Sequence, residues 1–306
     1  MSGPPRLFDR ARHRQRLARA APRFAGASFL KSRAAEDIVA RLETVMREFP
    51  VAVDLGARTG DFAAALAASD AAGKVGMLVE TDLSPVMLAG RPGPRAVVDE
   101  ERLPFAPGSL DLVVSSLALH WANDLVGALV QIRQALKPDG LFLGAILGGA
   151  TLTELRQALT EAELEVRGGA GPRVSPFADA YDAAGLLQRA GFDLPVADVD
   201  RVAVRYDHIL ALLADLRAMG ETSVLMEGAD RPLTRGIVAR AGEIYAERFG
   251  AGGRIVASFE ILTLTGWSPH ESQQHPLRPG SAGMRLADAL GVAERDAGEK
   301  VGRRPA

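Results

Sequence analysis

The stretch Val51–Gly60 (VAVDLGARTG) constrains the fold of this chain more than any other. Apolar residues lead into Asp54, a turn containing Gly56 and Gly60 follows, and a helical pattern continues over residues 61–69. Glycines let a backbone approach a ligand closely, and the start of the next helix presents free N–H groups. The stretch therefore predicts a buried strand that opens into a nucleotide-binding loop, with an ordinary strand-to-helix turn as the alternative.

Two further groups of acids follow this turn at informative distances. Asp82 comes about 20 residues later, at the end of a second predicted strand, where a carboxylate binds ribose hydroxyls. Asp99, beside Glu100, follows a third strand and is placed to hold an adenine amine. Helix capping is the alternative role of Asp82, and a polar turn is that of Asp99. The candidate cofactor-binding residues are Asp54, Gly56, Arg58, Gly60, Asp82, Leu83, Asp99, Glu100 and Ser115.

Apolar runs and helical patterns alternate along the chain, which implies βαβ units and a parallel sheet. The predicted strands are 51–55, 75–80, 95–98, 110–115, 141–147, 195–204 and 254–265. The predicted helices are 32–48, 61–69, 84–89, 123–136, 151–166, 178–190, 208–219 and 232–249. We expect Thr151 and Glu154 to form a capping box. The fold class is α/β, a doubly wound, mostly parallel seven-stranded sheet with an inserted helical cap over the carboxyl ends of its strands.

Composition and charge narrow the classes of function and divide the chain. The 306 residues carry a net charge of −2, which favours neither nucleic acid nor an anionic membrane as a partner. The absence of cysteine excludes disulfides, thiolate nucleophiles and cysteine-ligated metal clusters. No membrane span is predicted, and we expect a cytoplasmic protein. We expect a basic segment at 1–27, a Rossmann-like core at 28–150, cap helices with the last strands at 151–282 and a disordered tail at 283–306.

The basic segment carries seven arginines within its first 23 residues: Arg6, Arg10, Arg12, Arg14, Arg16, Arg19 and Arg23. A targeting peptide or a helix on a membrane surface is one interpretation, and peripheral membrane association follows from it. The other interpretation is a solvated basic helix that packs against the protein by its opposite face. We favour this second interpretation.

The loop and the later acids together resemble class I S-adenosylmethionine (SAM) methyltransferases, from Val51 to about Leu147. The resemblance implies SAM as the cofactor. The usual loop of that class reads DxGxGxG, and here Arg58 replaces the middle glycine. Glycine at this point permits a close approach and a positive φ. We therefore expect Arg58 to point outward or to pair with the cofactor carboxylate, and Asp82 to be partly exposed.

A narrower resemblance is carried by segments outside the cofactor loop. The stretch 111–125 (DLVVSSLALHWANDL), Met219–Glu221, Gly266-Trp267 and His270–Gln273 resemble the complex I assembly factor 5 family. The resemblance extends over roughly residues 6–282. It implies hydroxylation of an arginine on a protein substrate, a subunit of the respiratory NADH–quinone oxidoreductase, with no nucleic-acid partner.

His120 and Trp121 follow the fourth predicted strand, beside the expected position of the substrate. They are the candidate catalytic residues, as a substrate-contacting or general-base histidine with an aromatic wall. A hydrogen-bonded histidine and a packed indole are the alternative. No HxD or HxE pair is present in the sequence, so no facial-triad iron site is predicted and the candidate metal site is none.

Two other functions remain open from the sequence. The first is an O-methyltransferase of small molecules or acyl carriers, similar to the malonyl-carrier enzyme of biotin synthesis. The second is a non-catalytic assembly chaperone with a degenerate cofactor loop. Arg58 favours the chaperone, whereas Asp82 and Asp99 favour an enzyme.

Overall fold

A computed structural model describes residues 6–227, 232–273, 283–284 and 286–293. The chain divides into two compact units, residues 1–270 and residues 271–306. The second unit contains a short helix, Leu286–Leu290, and the disorder expected for residues 283–306 stays a prediction. The rest of the predicted tail, residues 294–306, lies outside the described residues, as do residues 274–282. The boundaries expected at residues 28 and 151 stay predictions.

The sheet of the first unit has the predicted doubly wound order. Its strands are β1 Phe49–Leu55, β2 Val75–Asp82, β3 Arg95–Val97, β4 Leu110–Ser116, β5 Leu136–Leu147, β6 Asp193–Tyr206, β7 Gly250–Ala251 and β8 Arg254–Trp267. Seven strands follow the order β3-β2-β1-β4-β5-β8-β6, and the two-residue β7 pairs with β8. Strands β1 to β5 are parallel, whereas β8 runs antiparallel to both β5 and β6. The mostly parallel seven-stranded sheet is confirmed, with β7 as an addition.

Helices cover both faces of this sheet. They are α1 Arg10–Phe24, α2 Phe29–Thr44, α3 Asp61–Ala67, α4 Leu125–Ala135, α5 Thr153–Arg167, α6 Ala183–Ala190, α7 Ile209–Ala218 and α8 Arg235–Phe249, with α9 Leu286–Leu290 in the second unit. Successive strand residues point to opposite faces. Ala52 and Leu143 thus pack in the layer of α2, α5, α7 and α8. Val53 and Phe142 pack in the layer of α4 and α6. No helix among the described residues is long and apolar enough to cross a membrane.

Two local predictions were wrong, for different reasons. Residues 84–89 form turns, since this segment is too short to propagate a helix before Gly90 adopts a positive φ of 74°. The capping box of α5 does not form. Thr151 Oγ1 instead bonds the backbone of Glu260 on β8, and Glu154 bonds Ser258 on the same strand. Bonds between distant segments replaced local ones at both side chains.

The basic N-terminal segment forms α1, whose sequence buries residues on one face only. His13, Leu17, Ala20 and Phe24 recur at helical spacing and are buried. Leu17 and Phe24 pack with Leu83, which follows β2. This face places α1 at the carboxyl ends of the first strands, so the helix is part of the candidate site.

Candidate functional site at the strand ends

The loop after β1 has the backbone of a ligand-binding turn. Gly56, Arg58 and Gly60 have positive φ values of 74°, 53° and 87°. A Cβ on Gly56 would overlap the Cβ of Ala118, so glycine is required there. A non-glycine residue at positive φ costs on the order of 1 kcal/mol. The positive φ expected for position 58 is confirmed.

The side chain of Arg58 points inward, so the outward alternative is wrong, whereas its pairing with a cofactor carboxylate stays a prediction. Its Nη1 lies 2.7 Å from Asp82 Oδ2, and its backbone N–H donates to the same oxygen over 3.1 Å. The two side chains are 1% and 0% exposed, so the expected partial exposure of Asp82 is also wrong. Burial alone lowers the pKa of Arg58, but the carboxylates of Asp82 and Glu100 outweigh it and raise that pKa. A carboxylate buried at a strand end needs a cation, and the loop supplies one.

The acids after β3 are bound by the first residue of α1. Arg10 Nη2 lies 2.7 Å from Asp99 Oδ1 and is also paired with Glu100. Arg10 Nη1 donates to the backbone oxygen of Trp121 over 3.2 Å. Burial lowers the pKa of neighbouring His13 well below its ordinary value, and the charges of Arg58 and Arg10 add to this effect. Both acid groups of the candidate site are therefore bound by arginines of the chain itself.

A lysine that the sequence analysis missed lies beneath the loop. Lys31 Nζ donates to the backbone oxygens of Gly56 (2.8 Å) and Ser116 (2.6 Å). Asp54 is fully buried, and neither oxygen of its carboxylate has a hydrogen-bond partner among the described residues. Burial raises the pKa of Asp54 to about 7, although the charge of Lys31 opposes the rise. Ser115 Oγ donates to Leu55 O over 2.9 Å. The pattern that could have identified Lys31 is its position on the buried face of α2, one helical turn before the buried Ala34 and Ala35.

The helical cap meets the predicted catalytic pair through Glu221. Glu221 Oε2 accepts a hydrogen bond from Trp121 Nε1 (3.0 Å) and lies 3.1 Å from His120 Nε2. The Trp121 ring packs edge-on against Phe8, with ring centroids 5.2 Å apart. Glu221 follows α7, three residues after the last helical residue, Ala218. It was not among the candidate site residues, because nothing local in the sequence links it to His120.

Two cavities meet at Glu221. The smaller, of about 30 Å³, lies against Lys31, Arg58 and Met219 on the side of the glycine loop. The larger, of about 380 Å³, lies beneath the cap and reaches Trp121 and the arginines of α1. The residues that line both cavities are Leu152, Phe177, Leu216 and Glu221. Among the described residues, His, Asp and Glu side chains form no group of three or more that would hold a metal ion.

Similarity to known proteins agrees with this geometry. Residues 53–144 match the family described as "Methyltransferase domain". The chain is 41% identical over 266 residues to the arginine-hydroxylase NDUFAF5, mitochondrial, of Danio rerio, covering 85% of the chain and 81% of that relative. The chain belongs to the family of the arginine-hydroxylase NDUFAF5. As a member of this family it is an enzyme with the SAM-dependent methyltransferase fold, and SAM is its cofactor.

This chain also shares sequence with proteins named as methyltransferases. This chain is 34% identical over 284 residues to the malonyl-[acyl-carrier protein] O-methyltransferase of Methylovorus sp. (strain MP688), covering 88% of the chain and 92% of that relative. A solved methyltransferase of Bacillus halodurans C-125 matches with a TM-score of 0.51 and 15% identity, covering 76% of the chain and 99% of that structure. The structural likeness concerns the fold alone.

The side chains at the loop have the chemistry that SAM needs, but their arrangement does not fit the cofactor. Of the acids predicted to bind the cofactor, Asp82 is bound by Arg58, and Asp99 and Glu100 are bound by Arg10. The cavity at the loop is about 30 Å³, against the roughly 300–1,000 Å³ of ordinary ligand sites. In this conformation the space beside the loop is too small for SAM.

Proposed function

We propose that this protein hydroxylates an arginine side chain of a protein partner, a subunit of respiratory complex I met during its assembly. The observation that carries the proposal is the position of Glu221 at the junction of the two cavities. Its Oε2 is held by Trp121 and His120, whereas its Oε1 makes no hydrogen bond to the described residues. A fixed carboxylate that faces a cavity is suited to bind a guanidinium through charge-assisted hydrogen bonds.

The walls of the larger cavity suit the rest of an arginine side chain. Leu152, Phe177 and Leu216 line the space next to Glu221. An arginine has a long apolar stem below its charged end, and apolar walls favour burial of that stem. We assign Trp121 as an aromatic wall that also donates to Glu221, and His120 as the second group that holds this carboxylate.

The cofactor residues remain part of the same proposal. We propose that SAM, once Arg58 and Arg10 have moved, is held by the residues predicted from the sequence. They are Asp54, Gly56, Gly60, Asp82, Leu83, Asp99, Glu100 and Ser115, whereas Arg58 has to leave Asp82 before the cofactor binds. SAM bound there would carry an activated methyl group, which methyl transfer uses and hydroxylation does not. In the proposed hydroxylation, the residues of the chain would orient the substrate guanidinium at Glu221 and exclude water.

Mass spectrometry of the partner tests the proposed reaction. Hydroxylation inserts one oxygen atom of dioxygen and reduces the other to water with two electrons, so the assay is run by co-expression in cells that supply a reductant. We expect a gain of one oxygen on an arginine of the co-expressed subunit. A gain of one methylene indicates methyl transfer, and an unmodified subunit that stays bound indicates an assembly chaperone. Either of these results overturns the proposal.

A matched pair of variants tests the role of Glu221. Glu221→Gln keeps the shape and removes the charge, so we expect modification of the partner to fall at least about tenfold, equal to a loss of ~1.4 kcal/mol. Glu247→Gln removes an exposed charge of α8 far from the cavity and serves as the control. Equal modification by both variants would show that Glu221 does not bind the substrate.

Methylation of a malonyl group on an acyl carrier is the second candidate function. The similarity to the Methylovorus enzyme favours it, since that enzyme is matched over 92% of its length. Incubation of the purified chain with SAM and malonyl-loaded carrier tests it directly. Formation of the methyl ester would establish this activity. If no ester forms while the arginine of the co-expressed subunit is modified, this second function is excluded.

The partner and the compartment follow from the proposed substrate. A complex I subunit has to be met before it is built into the membrane-bound complex, so we propose that the chain acts in the cytoplasm and contacts the membrane only peripherally. The Danio rerio relative is mitochondrial by its name. Cell fractionation with and without the partner subunit tests this location.

A further inference from the structure

The mouth of the larger cavity carries an excess of positive charge. Arg12, Arg16 and Arg217 line it, the first two from α1 and the third from the end of α7. Arg12 has a nearby carboxylate, with its Nε 3.6 Å from Asp9 Oδ2. Neither Arg16 nor Arg217 forms an ion pair with any of the residues that the structure describes. Glu227 also lines this cavity, but no described acid lies within ion-pair distance of either arginine, and arginines outnumber acids in the lining.

The other arginine of this cavity shows the contrast. Arg173 Nε lies 3.1 Å from both oxygens of Glu163, so its charge is already compensated. Arg16 instead donates to the hydroxyl of Thr222. Burial lowers the pKa of Arg16, and the charges of Arg12, Arg19 and Arg217 lower it further. Cations that lower one another's pKa repel each other, and such a cluster attracts an anionic group.

A buried hydroxyl adds a second, independent sign of a ligand. Ser175 also lines the cavity, is 3% exposed, and its Oγ has no hydrogen-bond partner among the described residues. Buried hydroxyls are nearly always hydrogen-bonded in folded proteins. A polar ligand that enters the cavity would satisfy this group.

Both signs of charge are present along one cavity, and this identifies the class of ligand. Glu221 lies at the inner end, and Arg16 contacts Thr222, the next residue of the chain. One residue spans about 3.8 Å between Cα atoms, so the sites for a cation and for an anion are close neighbours. A malonyl or phosphate group carries negative charge only and would be repelled by Glu221. A peptide with an arginine and a nearby acid matches both ends.

We propose that Arg16 and Arg217 bind an acidic side chain of the protein substrate, within about three residues of the arginine that enters toward Glu221. The inference rests on the proposed function and specifies its substrate, an arginine with an acidic neighbour. Arg16 and Arg217 act as specificity-determining residues, because a substrate without the acid would leave two cations at the mouth uncompensated.

Binding of fluorescent peptides to the full chain tests the proposal without any catalytic step. The first peptide has an arginine and an aspartate two residues apart, the second has asparagine in place of that aspartate, and the third has glutamine in place of the arginine. We expect the first to bind at least tenfold more tightly than the second, measured by fluorescence anisotropy. The advantage should shrink as salt is raised, because the contact lies at the mouth of the cavity.

Variants decide which residues carry the advantage. Arg16→Gln and Arg217→Gln should each reduce the preference for the acidic peptide by at least threefold. Arg14→Gln, on the exposed side of the same helix, should leave it unchanged. Arg217→Glu should reverse the preference toward a peptide with lysine in place of the aspartate, which a merely structural role would not produce.

Three results would overturn the proposal. They are equal binding of the first two peptides, an unchanged preference in both variants, and competition by malonate alone with no peptide binding. The third peptide separates this proposal from the proposed function. If it binds as tightly as the first while the aspartate preference persists, the arginine site at Glu221 fails and the acid site stands.

Discussion

The glycine-loop side and the cap side of the site use arginine in opposite ways. At the loop, Arg58 and Arg10 are bound by buried acids, and the cavity there shrinks to about 30 Å³. Beneath the cap, Arg16 and Arg217 have no ion pair among the described residues, and the cavity measures about 380 Å³. The difference lies in whether the fold brings a carboxylate within reach. Where a carboxylate is within reach, the arginine pairs with it and the cavity is small. Where none is within reach, the arginine remains available to bind an anionic ligand.

The two kinds of arginine also differ in what they contribute to stability. A buried ion pair repays its loss of hydration only while both partners are present, so removal of one partner is far more costly than replacement of both. An exposed arginine without a partner keeps its hydration and contributes little. The comparison therefore predicts large effects on stability at the loop and effects on binding at the cap.

The largest expected effect is on folding, from Asp82→Ala. The variant leaves the Arg58 guanidinium buried without its carboxylate, so we expect a loss of ~3–5 kcal/mol in the free energy of unfolding. Urea unfolding measures it. The double variant Asp82→Leu with Arg58→Met should recover most of the loss, because apolar residues then replace both charges. A loss below ~1 kcal/mol would show that the pair is not buried in solution.

The next effect concerns pH and Asp54. Burial raises the pKa of Asp54 from 3.8 to about 7, so the folded chain binds more protons than the unfolded chain between these values. Stability is then lost as pH rises through this window, by up to ~1.4 kcal/mol per pH unit. Asp54→Asn removes this dependence, and its stability relative to the natural chain should rise by ~1–3 kcal/mol from pH 5 to pH 7.

Urea unfolding at several pH values, with Glu247→Gln as the control for an exposed charge, measures this difference. The difference between Asp54→Asn and the natural chain should level off above pH 7. A difference that does not change with pH would mean that Lys31 keeps Asp54 ionised throughout.

A smaller effect is expected on cofactor affinity from Arg58→Gly. The change empties space at the loop and frees the Asp82 carboxylate, so we expect SAM to bind about tenfold more tightly, or ~1.4 kcal/mol. Isothermal calorimetry measures the affinity, and Thr59→Gly controls for added flexibility of the loop. Weaker binding would make Arg58 a ligand of the cofactor. Binding in neither form would favour an assembly chaperone.

The smallest effect is expected on stability at the cap side. Arg217→Gln should change the free energy of unfolding by no more than ~0.5 kcal/mol, because this exposed side chain forms no ion pair within the part of the chain that the structure describes. Thermal unfolding of this variant, with Arg14→Gln as the control, measures the change in the free energy of unfolding. A loss as large as that of Asp82→Ala would remove the contrast between the two regions.

Much of the fold follows from patterns within short stretches of sequence. The strand that ends at Leu55, its glycine turn and the later strands are visible in alternating apolar runs, because periodicity and turn chemistry are local. Resemblance of motifs such as 111–125 correctly indicated the family. Predictions of local hydrogen bonds were wrong where a side chain bonds a distant segment, as Thr151 and Glu154 bond β8.

The sequence by itself determined the order of the strands, the position of the ligand-binding loop and the residue types at its rim. Only the tertiary structure decided which partner each charged group meets. Arg58 turned inward to Asp82, Arg10 came from another helix to Glu100, and Glu221 reached Trp121 from a segment 100 residues away. The physical reason is that a buried charge must find its counter-charge among groups that the fold brings together. Separation along the chain says nothing about which groups those are.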